Sequence, residues 1–167
     1  MSDDFYSLAD KAMRKCSSLG TDFADIRFQD RSSTVVRLKE KNVEEINNGQ
    51  ISGISVRVLH KGFLGFSSSN NLNDILKVAE NAVKIAGSIR KGASKKNEVH
   101  LSESRTVKTN TETKTKRHPK DVDIREKIDL LRNANDAALS FSSLVKSIES
   151  IYVDEYIRNV YINSEGS

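Results

Sequence analysis

The sequence predicts an α+β fold: a mostly antiparallel sheet with helices packed on one face. Three observations carry that expectation. Between Ala24 and Phe66 the apolar residues recur at every second position in several short runs, the period of strands with one face buried. The links between those runs are too short for parallel crossovers, so neighbouring strands must reverse direction. On either side of this block the apolar residues switch to helical spacing, in stripes suited to covering one sheet face.

The first stripe is Phe5, Leu8, Ala9, Ala12, Met13, Cys16 and Leu19, with Asp3 and Asp4 favouring a helix start and Gly20 placed as a stop. Five strands should follow. Ala24, Ile26 and Phe28 alternate with Asp25, Arg27 and Gln29; Thr34, Val36 and Leu38 alternate with Val35, Arg37 and Lys39. A short third strand runs from Val43 to Ile46, and Asn47-Asn48-Gly49 carries turn chemistry. In the fourth, Ile54, Val56 and Val58 should face the helices, with Ser55, Arg57 and Leu59 pointing away. His60-Lys61-Gly62 turns the chain into a fifth strand, whose Leu64 and Phe66 should join the inner face. A glycine inside a strand marks close approach of another group, which singles out Gly65.

A second helical stripe, Leu72, Ile75, Leu76, Ala79, Ala82, Val83 and Ala86, is capped by Asn70 or Asn71 and should end near Gly87. Lys91 to Asn97 reads as a mobile loop. Val99 and Leu101 suit the start of a strand, and the Thr-rich 106–116 stretch suits a solvated edge strand or loop. Pro119 closes this region. Asp123 and Glu126 have capping-box spacing, and Ile124, Ile128, Leu131 and Ala138 continue a third helix. Two strands, about 145–153 and 156–162, should end the chain, turning at Asp154-Glu155. Without an internal repeat or long linker, residues 1–167 read as one domain.

Composition narrows the function classes. Charged residues make up 30% of the 167 and hydrophobic ones 37%, which suits a globular protein with a sizeable core. No apolar run has the length of a membrane span, and the first residues lack a secretory signal pattern. With Cys16 the only cysteine, an internal disulfide is excluded; a reducing compartment, the cytoplasm, is the expectation. Cys16 lies on the apolar stripe and reads as a packed thiol. The net charge of +4 is unevenly spread: residues 84–120 hold 11 basic and 3 acidic side chains. Such a segment can attract nucleic acid or an acidic surface. It contains no Phe, Tyr or Trp on which bases could stack, so a solvated loop is the plainer reading and nucleic acid is not the expected partner.

Catalytic patterns are missing. A zinc hydrolase centre needs imidazole or carboxylate ligands converging on one ion, usually with two histidines one helical turn apart. His60, His100 and His118 lie far apart in sequence. Phosphate-loop, nucleophile-elbow and Cys-x-x-Cys patterns are absent too. Neither catalytic nor metal-binding residues are expected, nor any cofactor. Arg57 is the one candidate contact: it either pairs with a carboxylate of a neighbouring strand or touches a bound peptide.

One ordered set of residues resembles a known family. Gly53-x-Ser55-Val56-Arg57-Val58-Leu59 follows Gly49, and Gly62-x-x-Gly65-Phe66-Ser67-Ser68-x-Asn70-x-Leu72 leads into the Ala-rich helix. Ala24-Asp25-Ile26-Arg27-Phe28 and Val43-Glu44-Glu45-Ile46 stand upstream, and Asn163-Ser164-Glu165-Gly166 downstream. The set resembles the amino-terminal domain of the TldD/PmbA proteins, zinc metallopeptidases also named modulators of DNA gyrase, and leans to the TldD-like branch. Gly49, Gly53, Arg57, Gly62, Gly65 and Asn70 are then its structural motif positions. The resemblance implies a non-catalytic domain, inactive alone, that helps enclose an unfolded peptide and associates with a TldD/PmbA-like second subunit as a homo- or heterodimer. The family's zinc motif has no counterpart in this chain, so zinc is expected only in a carboxy-terminal part. A nucleic-acid-binding or gyrase-modulating module built on residues 84–120 is the alternative.

Overall fold

The computed structural model describes residues 2–92, 99–102 and 105–166. Its elements are α1 (Ser2–Ser18), β1 (Phe23–Lys39), β2 (Asn42–His60), β3 (Phe63–Ser69), α2 (Ile75–Gly92), α3 (Ile124–Phe141) and β4 (Glu149–Asn163). Short 3-10 turns at Leu72–Asp74 and Pro119–Asp121 precede α2 and α3. The strands form one open sheet in the order β3-β2-β1-β4. All neighbours are antiparallel: β2 and β3 by direct register, β1 and β2 through the two-residue link Glu40-Lys41. For β1 and β4, Ser164 N–H donates to Ala24 O and Glu40 N–H to Ile148 O, so one strand rises as the other falls. The fold is α+β, as expected.

Contacts divide the chain into two compact units, Met1–Asp30 with Ser52–Asn110 and Arg158–Ser167, and Arg31–Ile51 with Thr111–Ile157. In the first, Ile54, Val56 and Val58 are buried among Ala24, Ile26 and Phe28 of β1, Phe5, Ala9, Ala12 and Cys16 of α1, and Ile75, Ala79, Ala82 and Ala86 of α2. Alanines dominate both helical faces, so the helices lie close to the strands. Asn71 caps the 3-10 turn, its side chain accepting the Asn73 N–H, and Gly20 follows α1 with φ of 72°.

β3 faces differently from expectation. Lys61 and Gly62, with φ of 53° and 81°, make a two-residue turn whose second position suits glycine. That turn pairs Val58 with Gly65 and Arg57 with Phe66. Directly opposed residues share a sheet face, so Phe63 and Gly65 point inward while Leu64 and Phe66 point away and are exposed. Gly65 is indeed a close approach. A Cβ there would overlap the Ala82 carbonyl oxygen and lie 2.9 Å from the Ala86 nitrogen.

The second unit packs α3 on its strands through Leu131, with Val36 and Leu38 of β1 buried beneath and Ile124, Ile128 and Tyr152 around them. Asp123 caps α3 by accepting the Arg125 N–H. Glu126 does not complete a capping box; its carboxylate takes both terminal nitrogens of Arg117, each at 2.7 Å. Asn135, also buried, donates to Glu40 O at 2.7 Å and holds the tight turn where Glu40 has φ of 55°.

The strands are fewer and longer than expected. The five in residues 24–66 are three, and the two closing ones are a single β4. Asn47-Asn48-Gly49 does not turn: it stays extended in β2 with no positive φ, because pairing with β1 outweighs a local turn preference. Asp154-Glu155 likewise sits within β4, where the Asp154 carboxylate is held by partners described below. Helix α2 runs past Gly87 to Gly92. Residues 105–115 take no regular structure and are exposed; most of the loop expected at 91–97 lies outside the described residues.

Candidate functional site

Two places combine uncommon chemistry with access, one in each unit. In the first unit the helices cover one face of the strands and leave Asp25, Arg27, Arg57, Leu64, Phe66 and Tyr161 on the other. Asp25 is 2% exposed there. Its carboxylate accepts from Arg57 Nε at 2.7 Å and again from the Arg57 terminal nitrogen, while Arg27 Nε lies 3.6 Å from its other oxygen. The Arg27 guanidinium also sits 5.2 Å from the centre of the Tyr161 ring, a cation–π arrangement. Arg57 is therefore paired with a carboxylate on the neighbouring strand, one of its two expected roles, and still keeps part of its guanidinium in solvent.

The other motif positions serve the backbone. Gly53 lies against Ser69 O and Asn70 Oδ1, each 3.5 Å from where a Cβ would stand, an ordinary contact distance. Gly62 completes the β2–β3 turn, and its carbonyl accepts the Val99 N–H at 2.7 Å. Around the same turn, Asp22 accepts the Lys61 N–H and His60 Nδ1 donates to Gly20 O. Gly49 lies in the second unit and lines its pocket.

That pocket, about 280 Å³, is lined by Ser32, Ser33 and Thr34 of β1, Asn48, Gly49 and Gln50 of β2, Pro119 and Lys120, and Asp154 and Tyr156 of β4. Ser32 and Thr34, on the sheet face that carries Asp154 and Tyr156, are small side chains that leave this space open. Beside it, Lys127 is 5% exposed, with Nζ 2.7 Å from Asp154 Oδ2 and 3.4 Å from Thr34 Oγ1. Tyr152 donates its hydroxyl to the same carboxylate oxygen at 2.8 Å. Burial opposes charge on Asp154, but Lys127 and Tyr152 outweigh it and hold the carboxyl below its ordinary range. Burial, and then the bond to Asp154, push the Tyr152 phenol up to about 12. At the rim the His118 ring packs at a tilt against Tyr156 with centroids 4.4 Å apart, and Lys120 Nζ lies 5.1 Å from that ring centre.

Sequence reasoning missed this second cluster. Lys127 does fall on the α3 stripe, one turn from Ile124 and from Leu131, and a lysine at such a position is a signal of a buried pair. Asp154 gave none, since it was read as a turn residue. Neither place suits zinc. Among the described residues no three His, Cys, Asp or Glu side chains stand close enough to hold a metal ion. His60 is engaged with Gly20, and His118 Nδ1 accepts the Lys120 N–H.

Residues 24–86 match the profile of PmbA/TldA metallopeptidase domain 1, and residues 117–167 that of the PmbA/TldA metallopeptidase central domain. The chain belongs to the PmbA/TldD family. A metalloprotease of Methanocaldococcus jannaschii is 36% identical over 152 residues, 87% of this chain and 32% of its own. One from Methanothermobacter thermautotrophicus is 30% identical over 146 residues, again 87% of this chain and 30% of its own. This chain thus spans about a third of the length of these PmbA/TldD relatives.

Solved structures share the fold. A Thermotoga maritima protein named as a candidate modulator of a DNA gyrase superposes with a TM-score of 0.81, at 18% identity over 98% of this chain and 36% of its own. TldE from Thermococcus kodakarensis gives 0.77, at 14% identity over 95% of this chain and 35% of its own. The fold is therefore the one these solved structures have. No helix among the described residues is long and apolar enough to cross a membrane.

Proposed function

We propose that this chain is the non-catalytic amino-terminal part of a TldD-like zinc metallopeptidase of the cytoplasm, where it helps to enclose an extended peptide and associates with a second, PmbA- or TldD-like subunit. The uncovered strand face of the first unit is the observation that carries this reading. It sets a partly solvated guanidinium, Arg57, opposite exposed Phe66, with Leu64 on the same strand and Tyr161 exposed beyond Arg27. Arg57 can add a hydrogen bond to a peptide carbonyl while Asp25 keeps it oriented, and the apolar side chains offer surface to alternate residues of an extended chain. The sheet ends on one side at β3, with no further strand beyond it among the described residues. Extended peptides commonly bind by adding to such an edge. Zinc and its bound water belong to residues outside this chain.

The test uses the full-length enzyme containing this segment. Replacing Arg57 by Ala should raise KM for an unfolded peptide with little change in kcat, since a positioning contact acts on ground state and transition state alike. The 167-residue chain alone should cleave nothing, with or without added zinc. An unchanged KM, or a loss confined to kcat, would refute the assignment. Salt-steep DNA binding by the chain would favour the nucleic-acid alternative instead.

A further inference from the structure

We propose that the pocket of the second unit binds the carboxyl terminus of a short peptide, with Lys120 as the partner of the terminal carboxylate. The inference rests on the peptide-enclosing reading and extends it to a second, chemically distinct site.

The charges around the pocket decide the sign of its ligand. Asp154 faces in, but the Lys127 ammonium on its Oδ2, which also accepts the Tyr152 hydroxyl, balances its charge. Lys120 makes no ion pair among the described residues; its ammonium lies over the Tyr156 ring and its backbone N–H on His118. A ring face offsets a cation only weakly when solvent is near. The lining therefore carries one positive charge that a carboxylate would satisfy.

The rest of the lining fits a peptide main chain. Ser32 and Thr34 bring hydroxyls and Asn48 an amide from adjacent strands, groups that donate and accept and so match peptide N–H and C=O alike. Pro119 and Tyr156 supply an apolar wall for a side chain. About 280 Å³ holds a residue or two, not a long segment.

The test titrates the 167-residue chain with tetra-alanine, either as the free acid or with an amidated carboxyl terminus, followed by amide chemical shifts. Saturable binding of the free acid is expected, with shifts centred on residues 32–34, 48–50 and 118–120. The amidated peptide should bind at least tenfold more weakly. Lys120→Ala should lose the same factor and Lys120→Arg should keep most of it. Ser32→Leu, whose side chain shares the sheet face of Thr34 and Asp154, should abolish binding while its spectrum elsewhere stays folded. Free alanine separates the sources of the carboxylate: it should bind more weakly than the tetrapeptide if main-chain groups contribute. Equal affinity for acid and amide, indifference to Lys120→Ala, or no saturable binding would overturn the inference. None of these touches Arg57, whose effect on KM tests the broader reading separately.

Discussion

In the first unit Ala9, Ala12, Ala79, Ala82 and Ala86 meet Val56, Val58 and Ile26, all fully or almost fully buried. In the second, the space under α3 is shared by Leu131, Val36 and Leu38 with Lys127, Asp154 and Asn135. One interior is apolar and tightly fitted, the other partly polar, with Lys127 paired to Asp154. These two solutions fail differently. An apolar core of small residues tolerates little added volume, because backbones already touch. A polar interior tolerates volume better but not the loss of a partner, since the group left behind stays buried and charged.

The largest effect should come from breaking the fit of the first unit. Gly65→Val puts a branched side chain where Ala82 O and Ala86 N already stand, and should cost about 4 kcal/mol or prevent folding. Chemical denaturation would measure it. A loss no greater than that of Arg57→Ala would mean that α2 can move off β3 and that the core is not as close as described.

Breaking the pair in the second unit comes next. Lys127→Met leaves the Asp154 charge without a counter-ion and should destabilise by about 3 kcal/mol, whereas Lys127→Met with Asp154→Leu should recover most of it. A double-mutant cycle from denaturation midpoints checks this. A double variant as unstable as the single one would show that Lys127 matters for its packing and not its charge.

Val56→Ala removes two buried methyl groups and should cost about 1–3 kcal/mol through lost transfer energy and a residual cavity. An effect within error in the same melt would place Val56 outside the core.

The smallest and sharpest contrast is in pH dependence. The Asp154 carboxyl titrates below its ordinary 3.8 when folded, so the stability it contributes is present above that value and lost as pH falls through the folded one. Tyr152 is raised from 10.0 to about 12; its contribution is complete below pH 10 and fades as pH rises toward 12. In the first unit burial pushes the Cys16 thiol from 9.0 to about 11, so its contribution fades between those values. Melts from pH 8 to 11 should show Cys16→Ala flattening the loss that begins near pH 9, and Tyr152→Phe flattening only the part above pH 10. Unchanged slopes in either variant would remove that group from the account.

Much of this was legible in the residues themselves. The stripes of α1 and α2, the inward set Ile54, Val56 and Val58, and the confined place of Gly65 all follow from side-chain period and the absence of a Cβ. Backbone geometry fixes those properties within a few residues, so a local pattern records them. Even the partner of Arg57 was half visible, as a carboxylate on an adjoining strand. Other features depend on groups distant in sequence. Asn47-Asn48-Gly49 has the composition of a turn, and only the neighbouring strand β1 keeps it extended. The faces of Leu64 and Phe66 were set by the two-residue turn at Lys61-Gly62, since one residue of register moves every side chain across the sheet. The pairing of Lys127 with Asp154, and the pocket beside Lys120, arise where α3 and β4 meet β1. Charges find partners through space, and no spacing along the chain announces which carboxylate a buried lysine will take.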